Sequence, residues 1–350
     1  MKKFLLFLVV LVFIAGCSLL SETVSADGLK ILTLCSSKSN ADNKVWVGTF
    51  QLVFNDMKNE ILKLKKVEFV GEKPTDDLIG LNKEEFNSSM LNPETYYKSY
   101  GKTSPVAREK IRKDIKEKFN ETSDIIDKLD WRESPGRFYA YAMLKKEFEF
   151  IKEFDKLSAE SFNNSDKKYD FFGIKKPSDG SLNGNIRVLF HNSDDDFAVQ
   201  LLTKNDDVVY LYRTESNDSF DKIYDKMIKE RDSYSGDYNF SSIDTFKAPN
   251  LKFKTMRKYD ELCDKIIKGT GSYFSAAIET IQFELNNKGG KLKSEAIIML
   301  QKSSLELRPK NPRHFDFNKT FVLFLVDKNK TNPYFALRVK DLKDLKDLTE

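Results

Sequence analysis

The sequence predicts an α+β domain, with mixed and antiparallel β-sheets and helices packed around them. Apolar residues recur at three- and four-residue steps in the first third of the chain, which is the period of amphipathic helices. From Phe138 onward short strand-like runs dominate instead. Segregation of helices from strands is typical of the α+β class. With 40% hydrophobic and 32% charged residues, the chain can bury a large core beneath a polar surface.

The N-terminus has the layout of a secretory signal. Lys2 and Lys3 precede an apolar run over residues 4–14, which is too short for the roughly 20 residues of a membrane-spanning helix. The following Ile-Ala-Gly-Cys sequence, which ends at Cys17, resembles a bacterial lipobox. This resemblance implies a signal peptide over residues 1–16 and lipidation of Cys17. Acyl chains such as palmitate would then hold a lipoprotein on the extracytoplasmic face of the cell membrane.

The mature chain is predicted to be a tether followed by one domain. Residues 17–44 are mostly polar and are expected to form the tether, although residues 29–34 have the composition of a first strand. The domain is expected over residues 45–350. Its helices are predicted over residues 45–64, 106–129 (beginning at Ser104-Pro105, with a weak point near Asn120) and 219–231, with loops and short elements over 71–103.

Several strands are predicted in the second half of the chain. The continuous apolar run over residues 138–144 is of the kind that is buried on both faces. The last two strands form a closing hairpin, and the Lys- and Asp-rich tail over residues 340–350 is expected to be solvated. The other strands are expected over residues 186–190, 197–202, 208–212, 250–254 and 276–285, and those of the hairpin over 317–326 and 334–339.

One motif near the C-terminus is specific. The run FDFNKTFVLFL, from Phe315 to Leu325, resembles the C-terminal signature of the serpins at every position that the signature restricts. Weaker stretches follow the order of that family upstream, over residues 111–129, 139–154, 194–212, 249–254 and 283–289. The family's N-terminal helices and its Ser-Pro core segment have no clear counterpart. The resemblance therefore implies a serpin-like fold with a reduced N-terminal half.

The resemblance also implies a reactive loop over residues 287–312. In serpins a serine or cysteine protease cuts this loop, which then inserts as a strand into the central sheet and traps the protease. An inserting strand must alternate, with every second side chain facing the core. Here one alternate series is small or apolar, and its first members with the flexible Gly289 form the expected hinge. The hinge residues are Gly289, Gly290, Leu292, Ser294 and Ala296, and the series continues through Ile298 and Leu300.

Two features of the loop decide what kind of serpin relative to expect. Leu292 and Lys293 stand where the family's inhibitors favour alanines, and their bulk is expected to slow insertion and so favour simple cleavage. Family spacing places the scissile residue near Ser303, beside Lys302, and Arg308 is a second candidate. Basic residues there suit a trypsin-like protease.

Other classes of function have weaker support. The net charge of +4 comes from 58 basic and 54 acidic residues that are evenly mixed, so nucleic-acid binding is not expected. Cys35 and Cys263 either form a disulfide or remain two thiols. Neither they nor His191 and His314 have the spacing of a zinc site, and Cys35 lies in no recognisable catalytic motif. The acidic turn over residues 191–196 lacks the Gly and Glu of a standard Ca²⁺ loop.

The leading prediction is therefore a surface-anchored, serpin-like protein that inhibits a protease through residues 287–312 and is not an enzyme. The alternative is a non-inhibitory cell-surface binding lipoprotein on the same scaffold, and a third reading is an unrecognised hydrolase. No cofactor, metal or catalytic residue is assigned. The expected partners are the membrane and a protease.

Overall fold

Strands dominate the structure. The computed structural model describes residues 28–204, 207–290, 311–343 and 345. In this part of the chain the α-helices are α1 (Thr49–Asp56), α2 (Asp76–Lys83), α3 (Pro105–Phe119) and α4 (Phe220–Ser233), and a π-helical turn over Met57–Ile61 extends α1. None of these helices has both the length and the apolar content that a bilayer crossing requires.

The described strands are short in the middle of the chain and longer towards its end. They are β1 (Leu29–Ile31), β2 (Asn43–Val47), β3 (Tyr96–Lys102), β4 (Phe138–Leu144), β5 (Phe148–Glu149), β6 (Asp155–Lys156), β7 (Glu160–Ser161), β8 (Lys168–Tyr169), β9 (Phe171–Gly173), β10 (Ile186–Ser193), β11 (Asp196–Leu201), β12 (Asp207–Arg213), β13 (Thr245–Pro249), β14 (Leu251–Lys258), β15 (Ile278–Asn286), β16 (Gly289–Gly290), β17 (His314–Asp316), β18 (Phe321–Asp327) and β19 (Pro333–Val339).

These strands form three larger sheets and two ribbons. The first sheet has seven strands in the order β1-β2-β19-β18-β12-β11-β10. Two four-stranded sheets have the orders β17-β13-β9-β6 and β14-β15-β16-β5, and the ribbons are β3-β4 and β7-β8. The pairs β1-β2 and β13-β17 are parallel, whereas the other pairs are antiparallel. The predicted α+β class with mixed and antiparallel sheets is confirmed.

Phenylalanine rings join the sheets into one core. Phe246 of β13 lies 5.2 Å, centroid to centroid, from Phe154 and 6.2 Å from Phe317. Phe317 in turn lies 5.5 Å from Phe321 of β18, in the seven-stranded sheet. Edge-to-face and tilted ring pairs of this kind contribute about 0.5–1.5 kcal/mol each beyond their burial. The closing hairpin β18-β19 is buried along its whole length, as the apolar FVLFLV run predicts.

The first sheet begins inside the range predicted as a tether. Leu29 and Ile31 of β1 are buried, and β1 pairs in parallel with β2. Leu32 and Leu34 are buried as well. Residues 29–34 therefore contribute an edge strand and buried apolar side chains to the folded part of the chain, inside the range predicted as a tether. Residues 17–27 lie outside the described residues.

The helix predicted over residues 45–64 is only partly correct. Its first residues, Val45, Trp46 and Val47, complete β2 and pair with β19. The helix begins at Thr49 and gives way to the π-helical turn at Met57. β-Branched and aromatic residues fit a pleated sheet, so pairing with a distant strand overrides the local helical period.

Helix α3 begins where the sequence predicts and ends earlier. Ser104 Oγ accepts a hydrogen bond of 3.0 Å from the Ala107 amide, and Pro105 occupies the first turn. Asn120 ends the helix in the left-handed conformation, with φ of 53°. Ile111 and Ile115 then pack against Trp131 and Tyr141, so α3 covers one face of the β3-β4 ribbon.

The C-terminal tail is less solvated than predicted. Leu342 and Leu345 are both buried, and the Lys252 amide donates a hydrogen bond of 2.9 Å to the Leu345 carbonyl. In the described part of the tail, Leu342 and Leu345 therefore lie against the core, whereas Lys340 and Lys343 are exposed.

Candidate functional site

A cleft lies between strands β4 and β15. Among the described residues β4 pairs only with β3, and β15 pairs with β14 over Ile278–Leu285. Between β4 and β15 lies a cavity of about 810 Å³. Its floor includes side chains of α1, and Trp131 and Tyr141 line it from the β4 side. Among the described residues, no strand bridges β4 and β15 over residues 278–284.

The run at residues 138–144 is therefore a strand, as predicted, but it is not buried on both faces. Only Tyr141 is fully buried, and Phe138 is 42% exposed. The edge of β4 that does not face β3 borders the cavity. The continuous apolar run of β4 is typical of a central strand, but within the described residues β4 has a neighbouring strand on one side only.

The beginning of the predicted loop, residues 287–290, is already part of a sheet. After β15 the chain turns over Asn287 and Lys288, and β16 runs back antiparallel to β15 while also pairing with β5. The Phe150 amide donates to the Lys288 carbonyl at 2.9 Å, and the Phe154 amide donates to the Asn287 carbonyl at 2.8 Å. β16 therefore lies between β15 and β5, the strand that follows β4 in the chain.

Gly289 is required here by two separate constraints. Its φ of 143° lies in a region that residues with a Cβ rarely adopt. A Cβ at this position would also stand 2.1 Å from the Phe148 carbonyl oxygen, which is backbone and cannot turn aside. At Gly290 the nearest atoms to a Cβ would belong to the Phe148 ring, at 2.6 Å. The pairing of β16 with β5 thus depends on close backbone approach as well as on conformational freedom.

The far end of the segment is held by a buried ion pair. Arg313 donates to both carboxylate oxygens of Asp244, at 3.2 and 2.8 Å, and to the carbonyls of Asp237 and Asn239, at 2.6 Å each. Asp244 is buried, and its position fixes the start of β17 at His314. The other predicted hinge and scissile residues, with the lipidation site, lie outside the described residues: Leu292, Ser294, Ala296, Lys302, Ser303, Arg308 and Cys17.

A buried carboxyl group lies on the floor of the cleft. Glu279 of β15 accepts hydrogen bonds from the Tyr259 hydroxyl at 2.8 Å, the Thr49 hydroxyl at 2.9 Å and the Phe50 amide at 3.3 Å. Burial raises the pKa of Glu279 to about 7, although these three donors act in the opposite direction. Glu279 thus joins β15 to the first turn of α1.

Sequence reasoning missed Glu279, although a signal was present. In the run from Ile278 to Leu285, Glu279 falls on the same alternate face as Ile281 and Phe283, which are buried. A charged residue in phase with the buried face of a strand is unusual and indicates a specific partner set.

A second buried charged group, Lys146, lines the cavity between the end of β4 and the start of β5. Lys146, which follows β4, forms ion pairs with Asp207 at 2.5 Å and with Asp327, and its Nζ lies 4.3 Å from the centre of the Tyr334 ring. The Tyr334 hydroxyl donates to Asp207 at 2.8 Å. Burial raises the pKa of Asp207. Lys146 therefore fixes the segment between β4 and β5 to strands β12 and β18.

The candidate enzyme and metal residues form no reactive site in the described part of the chain. Cys35 and Cys263 are two free thiols. Burial and the nearby Asp221 raise the pKa of Cys35, and burial and Asp260 raise that of Cys263, so both resist ionisation. The His191 ring stacks on Phe197, 5.7 Å between centroids. The described residues contain no group of three or more His, Cys, Asp or Glu side chains that could hold a metal ion.

No protein-family model and no curated protein sequence matches the chain. Solved serpin structures do. Serpin48, a highly specific serpin of the insect Tenebrio molitor, is 10% identical with a TM-score of 0.44, over 87% of this chain and 93% of that one. The thermophilic serpin Tengpin in its native state is 13% identical with a TM-score of 0.48, over 89% and 91%. Thyroxine-binding globulin in complex with thyroxine is 10% identical with a TM-score of 0.41, over 67% and 64%. The structure is similar to those of serpins, the family that the sequence resembles.

Proposed function

We propose that this protein is a serpin-like protease inhibitor that presents residues 287–312 to a protease and takes the cut segment into the cleft between β4 and β15. The observation that carries the proposal is β16. Its two residues already lie antiparallel to β15 and beside β5, in the position of a strand that has begun to enter the sheet.

Extension of β16 would fill the cleft in a defined register. Each step of two residues along β16 moves two residues back along β15. Continued in this way, Ser294 would lie opposite Ile281, and Ala296 opposite Glu279. Directly opposed residues in antiparallel pairs share a face of the sheet. Because Ile281 is buried, the small and apolar series beginning at Gly290 would face the core.

The inhibitor reading is tested with proteases. The protein without its N-terminal 17 residues is incubated with trypsin-like and subtilisin-like serine proteases and with a papain-like cysteine protease. An inhibitor is expected to form a covalent complex that survives denaturing electrophoresis, and the cleaved protein is expected to melt at a higher temperature than the intact one. Clean cleavage in the loop with an unchanged melting temperature contradicts the proposal.

Two variants test the register. Ala296→Glu would place a charge on the core-facing series and is expected to abolish the rise in melting temperature after cleavage, because an unpaired buried carboxylate is costly. Glu295→Gln alters the adjacent residue of the opposite series and is expected to leave the rise unchanged. Equal behaviour of the two variants contradicts the assigned register.

We further propose that lipid on Cys17 holds this domain at the outer face of the cell membrane. The sequence around Cys17 supports the proposal, and the first described strand begins at Leu29, so the domain would lie close to the bilayer. Membrane fractionation of cells that produce Cys17→Ser is the measurement. Release of this variant into the soluble fraction is expected, and continued membrane attachment contradicts lipid anchoring.

A non-inhibitory binding lipoprotein is the second candidate. The cavity of about 810 Å³ between β4 and β15 favours it, since its size is that of a small-molecule site. In that case the loop would be cut without insertion. Isothermal titration with metabolite extracts would then give saturable heats that disappear when Ala142→Trp fills the cavity.

A further inference from the structure

A short antiparallel pairing between residues 68–70 and 266–268 presents apolar side chains to solvent. Phe69 and Ile267 form its central bridge, and both are buried. The Val70 amide donates a hydrogen bond of 2.9 Å to the Ile266 carbonyl, so these two residues lie opposite each other. Because side chains alternate between the two sides of paired strands, Val70 and Ile266 point away from the core, where they are 61% and 46% exposed.

Tyr273 adds a third exposed apolar side chain to this region. Its chain neighbours belong to the same pairing, since the Ile267 amide donates to the Ser272 carbonyl at 2.7 Å and the Phe274 ring lies 6.2 Å from that of Phe69. Tyr273 itself is 54% exposed. Exposed apolar side chains that gather in one region indicate an interaction site, whereas scattered ones do not. The name outer face is used below for Val70, Ile266 and Tyr273.

The turns beside the outer face project into open space. Gly71, Gly269 and Gly271 have positive φ values of 77°, 83° and 68°, and a Cβ at any of them would meet no atom within 4 Å. A broad surface can therefore approach the outer face without first meeting a neighbouring element at these turns.

The charge around the outer face is positive. Residues 63–73 and 263–274 contain six lysines and three acidic residues. Glu68 is paired with Lys66 at 2.7 Å and with Lys268 at 3.7 Å, and Glu72 is paired with Lys265 at 3.7 Å. The acidic groups on this side of the domain are thus matched by lysines, and the excess of lysines favours an anionic partner. The six are Lys63, Lys65, Lys66, Lys73, Lys265 and Lys268.

The outer face lies near the point where the chain enters the domain. Leu34, three residues after β1, packs in the same apolar cluster as Phe69 and Ile267, directly beneath the outer face. Between Cys17 and Leu29 there are 11 residues, which can span at most about 40 Å. A lipid on Cys17 would therefore keep the outer face within reach of the same bilayer.

We infer that the outer face docks the domain on a bilayer surface that carries anionic headgroups. This inference rests on the proposed lipid anchor and adds a second contact with the same membrane. Tyrosine and aliphatic side chains are favoured in the interfacial region, and the surrounding lysines are attracted to the phosphate groups. A lipid on a tether limits only the distance of the domain from the bilayer, whereas this second contact fixes its orientation.

The experiment measures vesicle binding by the chain without residues 1–17, which has no lipid. The protein is sedimented with vesicles of phosphatidylcholine alone or with about one third phosphatidylglycerol, at about 0.05 M and about 1 M salt. Binding is expected to be at least about tenfold tighter to the anionic vesicles at low salt. It is expected to be lost at the higher salt, where the Debye length is about 3 Å.

Three variants locate the contact. Ile266→Ser combined with Tyr273→Ser is expected to weaken binding about tenfold, because the apolar area that enters the interface is lost. Lys66→Gln combined with Lys268→Gln is expected to weaken it by a similar factor through charge alone. Val106→Ser removes an apolar side chain that is 76% exposed on α3 and is the control, with binding expected to be unchanged. Equal urea midpoints show that all three variants are folded.

The outcomes separate this inference from the proposed anchor. Absence of wild-type binding to anionic vesicles at low salt, or equal binding by wild type and all three variants, overturns the inference and leaves lipid anchoring intact. Release of the full-length wild-type protein from cell membranes by about 1 M salt overturns lipid anchoring, because an acyl anchor does not depend on charge. The vesicle measurement then decides the inference by itself.

Discussion

Substitution of Gly289 by alanine tests whether β16 belongs to the sheet before any protease acts. The new Cβ would stand 2.1 Å from the Phe148 carbonyl oxygen and 2.8 Å from the Glu149 Cα. Neither backbone atom can move without breaking the pairing of β16 with β5. The backbone at φ of 143° adds conformational strain, which for unfavourable regions is about 1–3 kcal/mol. The variant is therefore expected to release β16 from β5.

The size of the loss follows from the bonds that release would break. The amides of Phe150 and Phe154 donate to the carbonyls of Lys288 and Asn287 in the turn. Each such bond contributes about 0.5–1.5 kcal/mol net, so Gly289→Ala is expected to lower the free energy of unfolding by about 1–3 kcal/mol. Urea unfolding measures this loss. Hydrogen exchange with mass spectrometry measures protection over residues 148–154.

Gly71→Ala is the matched control. Gly71 also has a positive φ, of 77°, but a Cβ there would meet no atom within 4 Å. Its expected loss is strain alone, about 1–2 kcal/mol, with exchange over residues 148–154 unchanged. Increased exchange over this segment in Gly289→Ala only is the expected result. Full protection of the segment in Gly289→Ala would refute the close approach on which the placement of β16 depends.

Two buried ion pairs give further predictions. Lys146→Met would leave two buried carboxylates without their cation and is expected to lower the free energy of unfolding by about 3–5 kcal/mol. Lys145→Met is the control, and because the partners of Lys145 are more exposed, it should cost at most about 1 kcal/mol. Equal urea midpoints for the two variants would contradict this prediction. Burial raises the pKa of Asp244, but hydrogen bonds from Arg313 and backbone amides lower it by more, so its net pKa lies below the ordinary value. The pair therefore stabilises the fold above about pH 4 and less below it. Urea unfolding of Asp244→Asn should show a deficit of about 3–5 kcal/mol at pH 7 that shrinks at pH 3, and a deficit independent of pH would contradict the pairing.

Local sequence is sufficient to predict those elements whose caps, turns and apolar periods lie within a few residues of one another. Helix α3 begins at the capping Ser104 and ends at Asn120 because both residues bond or turn within the adjacent helical turn. The closing hairpin β18-β19 follows from its apolar runs and the turn between them. For the glycines at 289 and 290, the residue type alone predicts backbone flexibility. Their close approach to Phe148 is not predictable in this way, because Phe148 lies about 140 residues away in the sequence.

The sequence by itself determined the α+β class, the closing hairpin and the alternation of the segment after Gly289, since each depends on the period of side chains along one stretch of chain. Tertiary structure decided that Val45 belongs to a strand, that β4 borders a cavity and pairs on one edge only within the described residues, and that Glu279 accepts a hydrogen bond from Thr49. The first and third features depend on residues more than 200 positions apart in the sequence. The second depends on which strands lie beside β4. A one-dimensional pattern records which face of a strand is apolar, but not which surface covers that face.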